Sequence, residues 1–303
     1  MKKQKVLFLL LILLLSSCGR KSITTETREK QLVDWPLYEI NLGETTKGYI
    51  LGSIHIGNND WYPFPEEITD AIDNSALIFS EVKYSSTFES NTFNYQTNSD
   101  TYEKYILNNY FSKDEKVKLS KVAEDYKINK IKFEESTLAD FYSQLQGATL
   151  SQQDVVGGVD YRIYNYLQKN DRLTDNFGFE TVSDQYLLLN ESLKSKLESS
   201  TNWINLIPSH KESTKQKEQF MNAYVTGSIQ QIETEVNLET LFDTKILIES
   251  RQIAWLQDLK EYLTTDKKTF TIVGTAHLYG ERGLLNEIKN SGYSINKISI
   301  TTQ

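Results

Sequence analysis

Residues 47–57 read KGYILGSIHIG and residues 270–280 read FTIVGTAHLYG, and the two stretches share one pattern. Each is an apolar strand pattern followed by Gly, a small hydroxyl residue, an apolar residue, His and then a further Gly. Histidine occurs only three times in 303 residues, and His55 and His277 occupy the same position of the repeated pattern. A glycine at a strand end permits an abrupt turn and close backbone approach. The pattern therefore predicts two buried strands, each followed by a functional histidine.

Strand patterns alternate with helix patterns at both ends of the chain. We predict strands at 37–42 and 49–54 (a hairpin), 76–79, 173–179, 270–273 and 295–300, and helices at 66–74, 113–127, 134–147, 155–168, 183–197, 215–232, 238–263 and 283–289. This alternation predicts an α/β fold with a mostly parallel central sheet flanked by helices. Residues from about 100 to 235 are mostly helical in pattern and are predicted to form a helical cap or insertion.

The predicted sheet brings polar side chains to one edge. Open α/β sheets bind ligands beyond the carboxyl ends of their strands, so His55 and His277 are predicted to project into one crevice. Glu81 and Glu180 follow two other predicted strands. Imidazole and carboxylate groups suit a divalent metal that keeps positions open for water. Without a metal, the same groups would serve as general base and acid, and the residues alone leave both possibilities open.

Each of these residues also has a structural interpretation. A lone histidine at a strand end is usually structural, but two in matched motifs favour a functional role. Glu81 or Glu180 alone could simply cap the next segment. Arg251 shares the apolar face of the predicted helix 238–263, where an arginine needs a carboxylate or an anionic ligand. It pairs with a glutamate or points into the site, and we favour the second. His210 lies in a predicted polar loop and is interpreted as a bystander.

The first 17 residues predict an export signal. Three lysines precede an unbroken apolar run at 6–15, which is too short to span a membrane as a helix. The sequence LSSCG at 15–19 resembles the lipobox of bacterial lipoproteins, in which the cysteine becomes the lipidated first residue. An ordinary signal with a chance cysteine is the weaker alternative, because Cys18 is the only cysteine. We predict a lipid-anchored protein of the bacterial cell envelope, facing outside the cytoplasm.

The predicted mature protein has three consequences for function. Its single cysteine allows no internal disulfide and no thiolate metal site. Removal of residues 1–17 leaves 30 basic against 41 acidic residues, a formal net charge of −11, which gives no electrostatic case for nucleic-acid binding. Membrane attachment would then depend on the lipid. Residues 18–34 are predicted to be the lipidated cysteine and a flexible tether, and 35–303 a single domain.

The paired Gly-x-x-His motifs resemble those of the TraB/GumN family, which includes the Tiki-type metalloproteases. The resemblance follows the chain in order and rests on Leu51 to His55, Pro65 to Glu81, Gly158 to Asp160, Gly178 to Thr181 with Gln185, Ser250-Arg251, Gly274 to Leu285 and Gly292-Tyr293. Gln252 departs from the pattern, because the family usually has Asn after its Arg. Residues 84–150 and 197–237 carry no resemblance.

The resemblance implies an erythromycin-esterase/ChaN-like fold and, in Tiki-type members, a metal-dependent peptidase. It implies His55, His277 and a glutamate, Glu81, as the active residues. We predict that these three hold a divalent metal (Mn, Co or Zn) and that Glu180 and Arg251 are further catalytic residues. The remaining matched positions would support the site: Gly52, Ser53, Asp160, Gln185, Gly274 and Thr275.

These expectations give a leading hypothesis and two alternatives. The first is an extracytoplasmic metal-dependent hydrolase, most simply a peptidase with a peptide or protein substrate. Residues 84–100, rich in Ser, Thr, Asn and Tyr, would form a loop that covers its cleft. The second is a non-catalytic lipoprotein that sequesters haem or a peptide signal in the same crevice. The third is an envelope scaffold with structural histidines.

Overall fold

The fold is an α/β sheet with helices on both sides. A computed structural model describes residues 31–84, 102–237 and 241–300. Its strands are β1 Leu37–Leu42, β2 Thr45–Ser53, β3 Leu77–Val82, β4 Asn176–Glu180, β5 Thr269–Gly274 and β6 Ser294–Lys297. They form one sheet in the order β4-β3-β5-β2-β1-β6. The first four in that order are parallel, whereas β1 is antiparallel to both of its neighbours. The predicted α/β fold with a mostly parallel sheet is confirmed.

Ten α-helices lie within the described residues. They are α1 Glu66–Asp73, α2 Lys113–Asp125, α3 Leu138–Ala148, α4 Gln152–Val156, α5 Val159–Lys169, α6 Val182–Ser199, α7 His210–Val225, α8 Ile229–Asn237, α9 Ser250–Leu263 and α10 Leu284–Asn290. Capping boxes begin α2, α3, α4, α6 and α7. In each, a Ser or Thr side chain accepts from the backbone of the third helical residue, so local sequence fixes the helix start.

The sheet places the two repeated motifs side by side. β2 and β5 pair in parallel, with Gly52 opposite Val273 and Ser53 opposite Gly274. β5 also pairs with β3, and β3 with β4. The strand ends therefore follow one another across the sheet in the order Glu180, Glu81, His277 and His55, all at the carboxyl edge.

Buried apolar side chains form three clusters. One packs α1 and α5 against the sheet, and a second packs α9 and α10 against its other side. The third belongs to the helical middle of the chain and includes Tyr105, Phe141, Leu193 and Trp203. A sheet with apolar side chains on both faces has to be covered on both faces, as the hydrophobic runs of β2, β3 and β5 indicate.

Two predicted helices were wrong, because glycine residues divide each of them into two. The helix predicted at 155–168 is two helices, α4 and α5, separated by Gly157-Gly158. The helix predicted at 215–232 also divides, at a turn where Gly227 has φ +62°. Apolar periodicity continues across both breaks, so periodicity alone did not reveal them.

Other boundaries shift by a few residues. The strand predicted at 173–179 begins at Asn176, and β3 extends past Glu81 to Val82. Of the helix predicted at 238–263, residues 245–249 form a π-helical turn and the α-helix begins at Ser250. His210, predicted to lie in a loop, is the first residue of α7.

Two predicted segments lie mainly outside the described residues. The signal and most of the tether precede residue 31, and the predicted covering loop falls almost entirely on 85–100. Of residues 31–34, assigned to the tether, Val33 is buried, and Gln31 and Asp34 hydrogen-bond to the domain. Among the described residues, no helix has both the length and the apolar character needed to cross a membrane.

Candidate active site

Close backbone approach at the ends of β2 and β5 brings the repeated motifs together. The Thr275 hydroxyl donates to the Ser53 carbonyl at 2.9 Å. A Cβ at Gly52 would lie 2.7 Å from the Thr275 Oγ1 atom, which explains why this position is glycine. The Thr275 hydroxyl therefore joins the two motifs, while the Ser53 hydroxyl donates to Asp160.

A buried guanidinium lies at the centre of the first group of polar side chains. The Arg251 Nη2 atom is 2.6 Å from Glu81 Oε2 and 2.5 Å from Glu180 Oε1, while its Nε also donates to Glu180. Gln185 donates to Glu81 Oε2 at 3.1 Å, and the Gly274 amide donates to Glu81 Oε1 at 2.7 Å. The sequence left open whether Arg251 pairs with a glutamate or points into the site. In the structure it pairs with two glutamates, and both are predicted site residues.

The two carboxylates around Arg251 differ in acidity. Burial, the largest single influence, would raise the pKa of Glu81, but the Arg251 charge, the nearby imidazoles and the Gly274 amide together outweigh it and lower that pKa to about 2. Glu180 has the opposite balance: burial dominates over Arg251, so its pKa is raised. Glu81 is therefore a fixed carboxylate, whereas Glu180 is the carboxyl group better suited to exchange a proton.

His277 completes this group and is neutral. Its Nε2 atom is 3.3 Å from the Arg251 Nη1 atom. Because a guanidinium only donates, Nε2 accepts and the proton is on Nδ1, which is buried and has no hydrogen-bond partner in the described structure. Burial lowers the His277 pKa to about 3. We call Arg251, Glu81, Glu180, Gln185 and His277 the Arg251 cluster.

His55 belongs to a second group and has the opposite character. Its Nδ1 donates to Asp160 Oδ2 at 2.9 Å, while its side chain is 72% exposed. The Asp160 charge raises the His55 pKa to about 9. Asp160 also accepts from the Ser53 hydroxyl at 3.0 Å and from the Tyr84 hydroxyl at 3.4 Å. We call these four residues the His55 cluster.

Helix α4 and the first turn of α5 hold the loop that carries His55. The Val159 amide donates to the Ile54 carbonyl, and the Gly57 amide donates to the Asp154 carbonyl, both at 2.8 Å. A Cβ at Gly158 would lie 2.2 Å from the His55 carbonyl oxygen. The matched sequence Gly158-Val-Asp160 thus has a physical role, because it holds the His55 backbone and supplies its carboxylate partner.

The chain was also compared with known protein families. A sequence profile described as the TraB/PrgY/gumN family matches residues 36–297. The chain belongs to this family. No curated protein and no solved structure gives a match. The TraB/PrgY/gumN match spans β1 to β6, so the sheet and both clusters lie within it.

In this TraB/PrgY/gumN protein, the residues predicted to be catalytic or to support the site lie in or beside the two clusters, whereas Cys18 lies outside the described residues. Gln252 has a role that its departure from the family pattern obscured, since it donates to the His277 carbonyl at 2.9 Å. Tyr84 was missed at the sequence level because it begins a stretch with no clear period. His210 lies away from the site, where its Nε2 contacts the Ala148 carbonyl.

A divalent metal fits these residues by donor type. His55 donates from Nδ1 to a carboxylate, as metal-binding histidines do, and a metal at Nε2 would displace the proton that the raised pKa keeps there. His277 is neutral, as a ligand must be, but in this arrangement its Nδ1 carries the proton and its Nε2 faces Arg251. Within the part of the chain that the structure describes, however, no three His, Cys, Asp or Glu side chains converge as a metal-holding group. In this arrangement the Glu81 carboxylate is already paired with Arg251.

Proposed function

We propose that this protein is a metal-dependent hydrolase of the cell envelope, acting on peptide bonds. The observation that supports the proposal most is the pair of histidines at neighbouring strand ends in complementary states. His277 is buried and neutral, and His55 is exposed with its Nδ1 fixed by Asp160. A buried Arg–Glu pair lies between two further strand ends beside them. Perturbed ionisable groups of this kind are concentrated at functional sites.

The metal in this proposal would be held by His55, His277 and Glu81. When bound, a divalent cation lowers the pKa of a water molecule and polarises a carbonyl group, which is the chemistry that peptide hydrolysis requires. Manganese, cobalt and zinc are the candidates, since imidazole and carboxylate groups both bind them.

The remaining residues of the site have roles that follow from their contacts. Glu180 would accept a proton from water and return it to the leaving amine. Burial raises its pKa, which suits a group that exchanges a proton. Arg251 supplies a fixed positive charge in a water-poor setting, where it stabilises developing negative charge. Asp160 orients His55, and Gln252 holds the backbone of His277.

The site would act outside the cytoplasm. The predicted signal at 1–17 and the lipobox-like sequence at Cys18 support export and lipid anchoring. A net charge of −11 on the mature chain leaves the lipid as the means of membrane attachment.

The proposal is tested with the mature protein after removal of metal by a chelator. Manganese, cobalt or zinc is added back, and cleavage of a peptide library is followed by mass spectrometry. We expect metal-dependent cleavage that is lost in His55→Ala and His277→Ala. His210→Ala is the matched control and should retain activity, because His210 lies outside both clusters.

Two results would contradict the proposal. The first is undiminished cleavage in both His55→Ala and His277→Ala. The second is absence of cleavage together with a Soret band on haem addition that depends on His55, which would favour the sequestering alternative. Thermal unfolding of every variant shows whether lost activity reflects lost folding.

A further inference from the structure

The first described residues form an arm, residues 31–36, that is fastened to the domain. The Gln31 amide donates to the Asp60 carbonyl at 3.1 Å, and the Gln31 side chain accepts from the Trp61 indole at 3.1 Å. The Asp34 amide donates to the Val225 carbonyl at 2.9 Å, and Lys297 pairs with the Asp34 carboxylate at 2.6 Å. The arm is therefore held at both its beginning and its middle.

Aromatic packing adds to these hydrogen bonds. Trp35 is 2% exposed and contacts Phe64 edge-on at 5.4 Å between ring centroids and Tyr224 at 6.2 Å. Val33 is buried as well. A buried tryptophan contributes strongly to packing, and its truncation to alanine is among the most destabilising of core substitutions. The arm is thus a stable part of the domain.

The arm lies at the same edge of the sheet as the proposed active site. The Gly52 amide donates to the Pro36 carbonyl at 3.0 Å, which places the end of the arm beside the carboxyl end of β2. Asp60, which receives the Gln31 amide, is only five residues after His55. Five residues span at most about 18 Å, so the point where the chain enters the domain is close to the site.

The opposite edge of the sheet is much farther away. β2 contains nine residues and begins after the turn at Gly43-Glu44. Its length of about 26 Å separates that turn from the edge that carries His55. The domain is therefore joined to its tether at the site edge and not at the edge of the β1–β2 turn.

The length of the tether limits how far this edge can lie from the membrane. If Cys18 is lipidated, thirteen residue steps join it to Gln31, and they span at most about 47 Å when fully extended. A domain of this size has a diameter of roughly 50 Å. Attachment by a chain this short at one edge keeps that edge nearer the bilayer than the opposite edge.

We infer that the arm directs the active-site edge toward the membrane, and that the substrate is a polypeptide held at that same membrane surface. The inference rests on the proposed hydrolase activity for its substrate and on lipidation of Cys18 for its geometry. A tethered enzyme and a tethered substrate meet at an effective concentration set by their tethers, which favours this pair over a freely diffusing peptide.

The orientation is tested without any catalytic measurement. Cys18 is the only cysteine, and lipidation consumes its thiol, so an introduced cysteine is the only one that a donor dye can label. Glu66→Cys marks the site edge, and Glu44→Cys marks the opposite edge as a charge-matched control; both residues are exposed. The lipidated protein is reconstituted into vesicles that contain an acceptor lipid. We expect higher energy transfer from position 66, corresponding to a separation from the membrane shorter by up to about 26 Å.

A long Gly/Ser insertion between residues 24 and 25 provides the second arm of this test. It should reduce the difference between positions 66 and 44, because a longer tether no longer limits rotation. Equal transfer from the two positions without the insertion, greater transfer from position 44, or failure of the protein to enter vesicles would each overturn the inferred orientation.

The substrate class is tested by comparing two forms of one cleavable peptide. One form is free, and the other is attached to lipid in the vesicles that carry the enzyme. We expect the attached form to be cleaved on the order of 10²-fold faster at equal total concentration, and the advantage to disappear for enzyme released from its lipid. Equal cleavage of both forms would overturn the substrate inference. If neither form is cleaved while position 66 still shows the higher transfer, the hydrolase proposal fails and the orientation stands.

Discussion

The guanidinium of Arg251 and the carboxylate of Glu81 meet at 2.6 Å in the interior of the site, where their side chains are 8% and 9% exposed. Glu81 belongs to β3 and Arg251 to α9, which are 170 residues apart in the chain. The pair therefore joins the sheet to the helix that covers it. Arg251 also lies over the Trp255 ring, with 4.5 Å between the guanidinium carbon and the ring centroid.

Arg251→Ala is expected to destabilise the protein strongly. Removal of one partner of a buried ion pair leaves a buried charge uncompensated, which costs about 3–5 kcal/mol. Here both Glu81 and Glu180 would lose their partner. Urea unfolding measures the change. Arg282→Ala is the control, because Arg282 is 64% exposed and its pair with Glu287 is only 3.9 Å, so its loss should have little effect. Equal unfolding curves for the two variants would contradict the prediction.

The sequence predicted the ends of the chain better than its middle. Apolar periodicity placed Arg251 on the buried face of its helix, and Gly-x-x-His marked the ends of β2 and β5. Periodicity did not reveal the break at Gly157-Gly158, because apolar positions continue through it. The break matters, since it creates the helix start that presents Asp160 to His55.

Asp160→Asn should weaken metal binding and any hydrolysis without unfolding the protein. The carboxylate accepts from His55 Nδ1, so Nε2 is the nitrogen that would bind a metal once the ring is neutral. An amide can donate as well as accept and no longer specifies that tautomer. Loss of such a partner typically reduces metal affinity or activity by about 10–100-fold. Calorimetric metal titration measures the loss. Asp73→Asn is the control and should keep its metal affinity, since Asp73 ends α1 and contacts Tyr166 and Arg172 outside both clusters. Unchanged metal affinity in Asp160→Asn would show that Asp160 does not position His55.

Stability of the metal-free protein should be greatest near pH 6.5. Burial lowers the His277 pKa from its ordinary 6.5 to about 3. The Glu81 pKa is lowered from 4.5 to about 2, because Arg251 and smaller contributions together outweigh the effect of burial. Both groups bind protons more readily in the unfolded chain, so stability falls as pH drops from 6.5 toward 2. Asp160 raises the His55 pKa to about 9, and its contribution is present below pH 6.5 and lost as pH rises through 9.

Chemical unfolding in a chelating buffer, measured across this pH range, tests these signs separately. His277→Gln should flatten the acid side of the profile, and His55→Gln should flatten the alkaline side. A profile that is unchanged in both variants would show that neither histidine carries the shift.

Cys18→Ser should release the protein from the membrane. Without the thiol there is no site for lipid attachment. The mature chain carries a formal net charge of −11, and its described residues contain no helix able to cross a membrane. We expect the wild-type protein in the membrane fraction, with a mass increased by its lipid, and the variant in the soluble extract. The same fractionation after high-salt washing distinguishes lipid anchoring from charge. A variant that stays with the membrane would contradict lipidation at Cys18.

The order of strands could not be read from the chain. The sequence predicted which strand ends carry polar residues, but not that they follow one another as Glu180, Glu81, His277 and His55. That order depends on which strands pair, and pairing is decided by helices that cross between them over long sequence separations. Tyr84 illustrates the same limit, because it reaches Asp160 from 76 residues away with no local pattern.

Gly158→Ala is expected to displace the His55 loop and lower both stability and activity. The added Cβ would lie 2.2 Å from the His55 carbonyl oxygen, a distance that forces the backbone apart. Overpacking of this kind typically costs about 1–3 kcal/mol. Gly147→Ala is the matched control: it lies in α3 with nothing within 4 Å of the new Cβ, so it should stabilise the protein by about 0.5–1 kcal/mol. Thermal unfolding separates the two outcomes. A Gly158→Ala protein as stable as Gly147→Ala would show that the loop is not held by this contact.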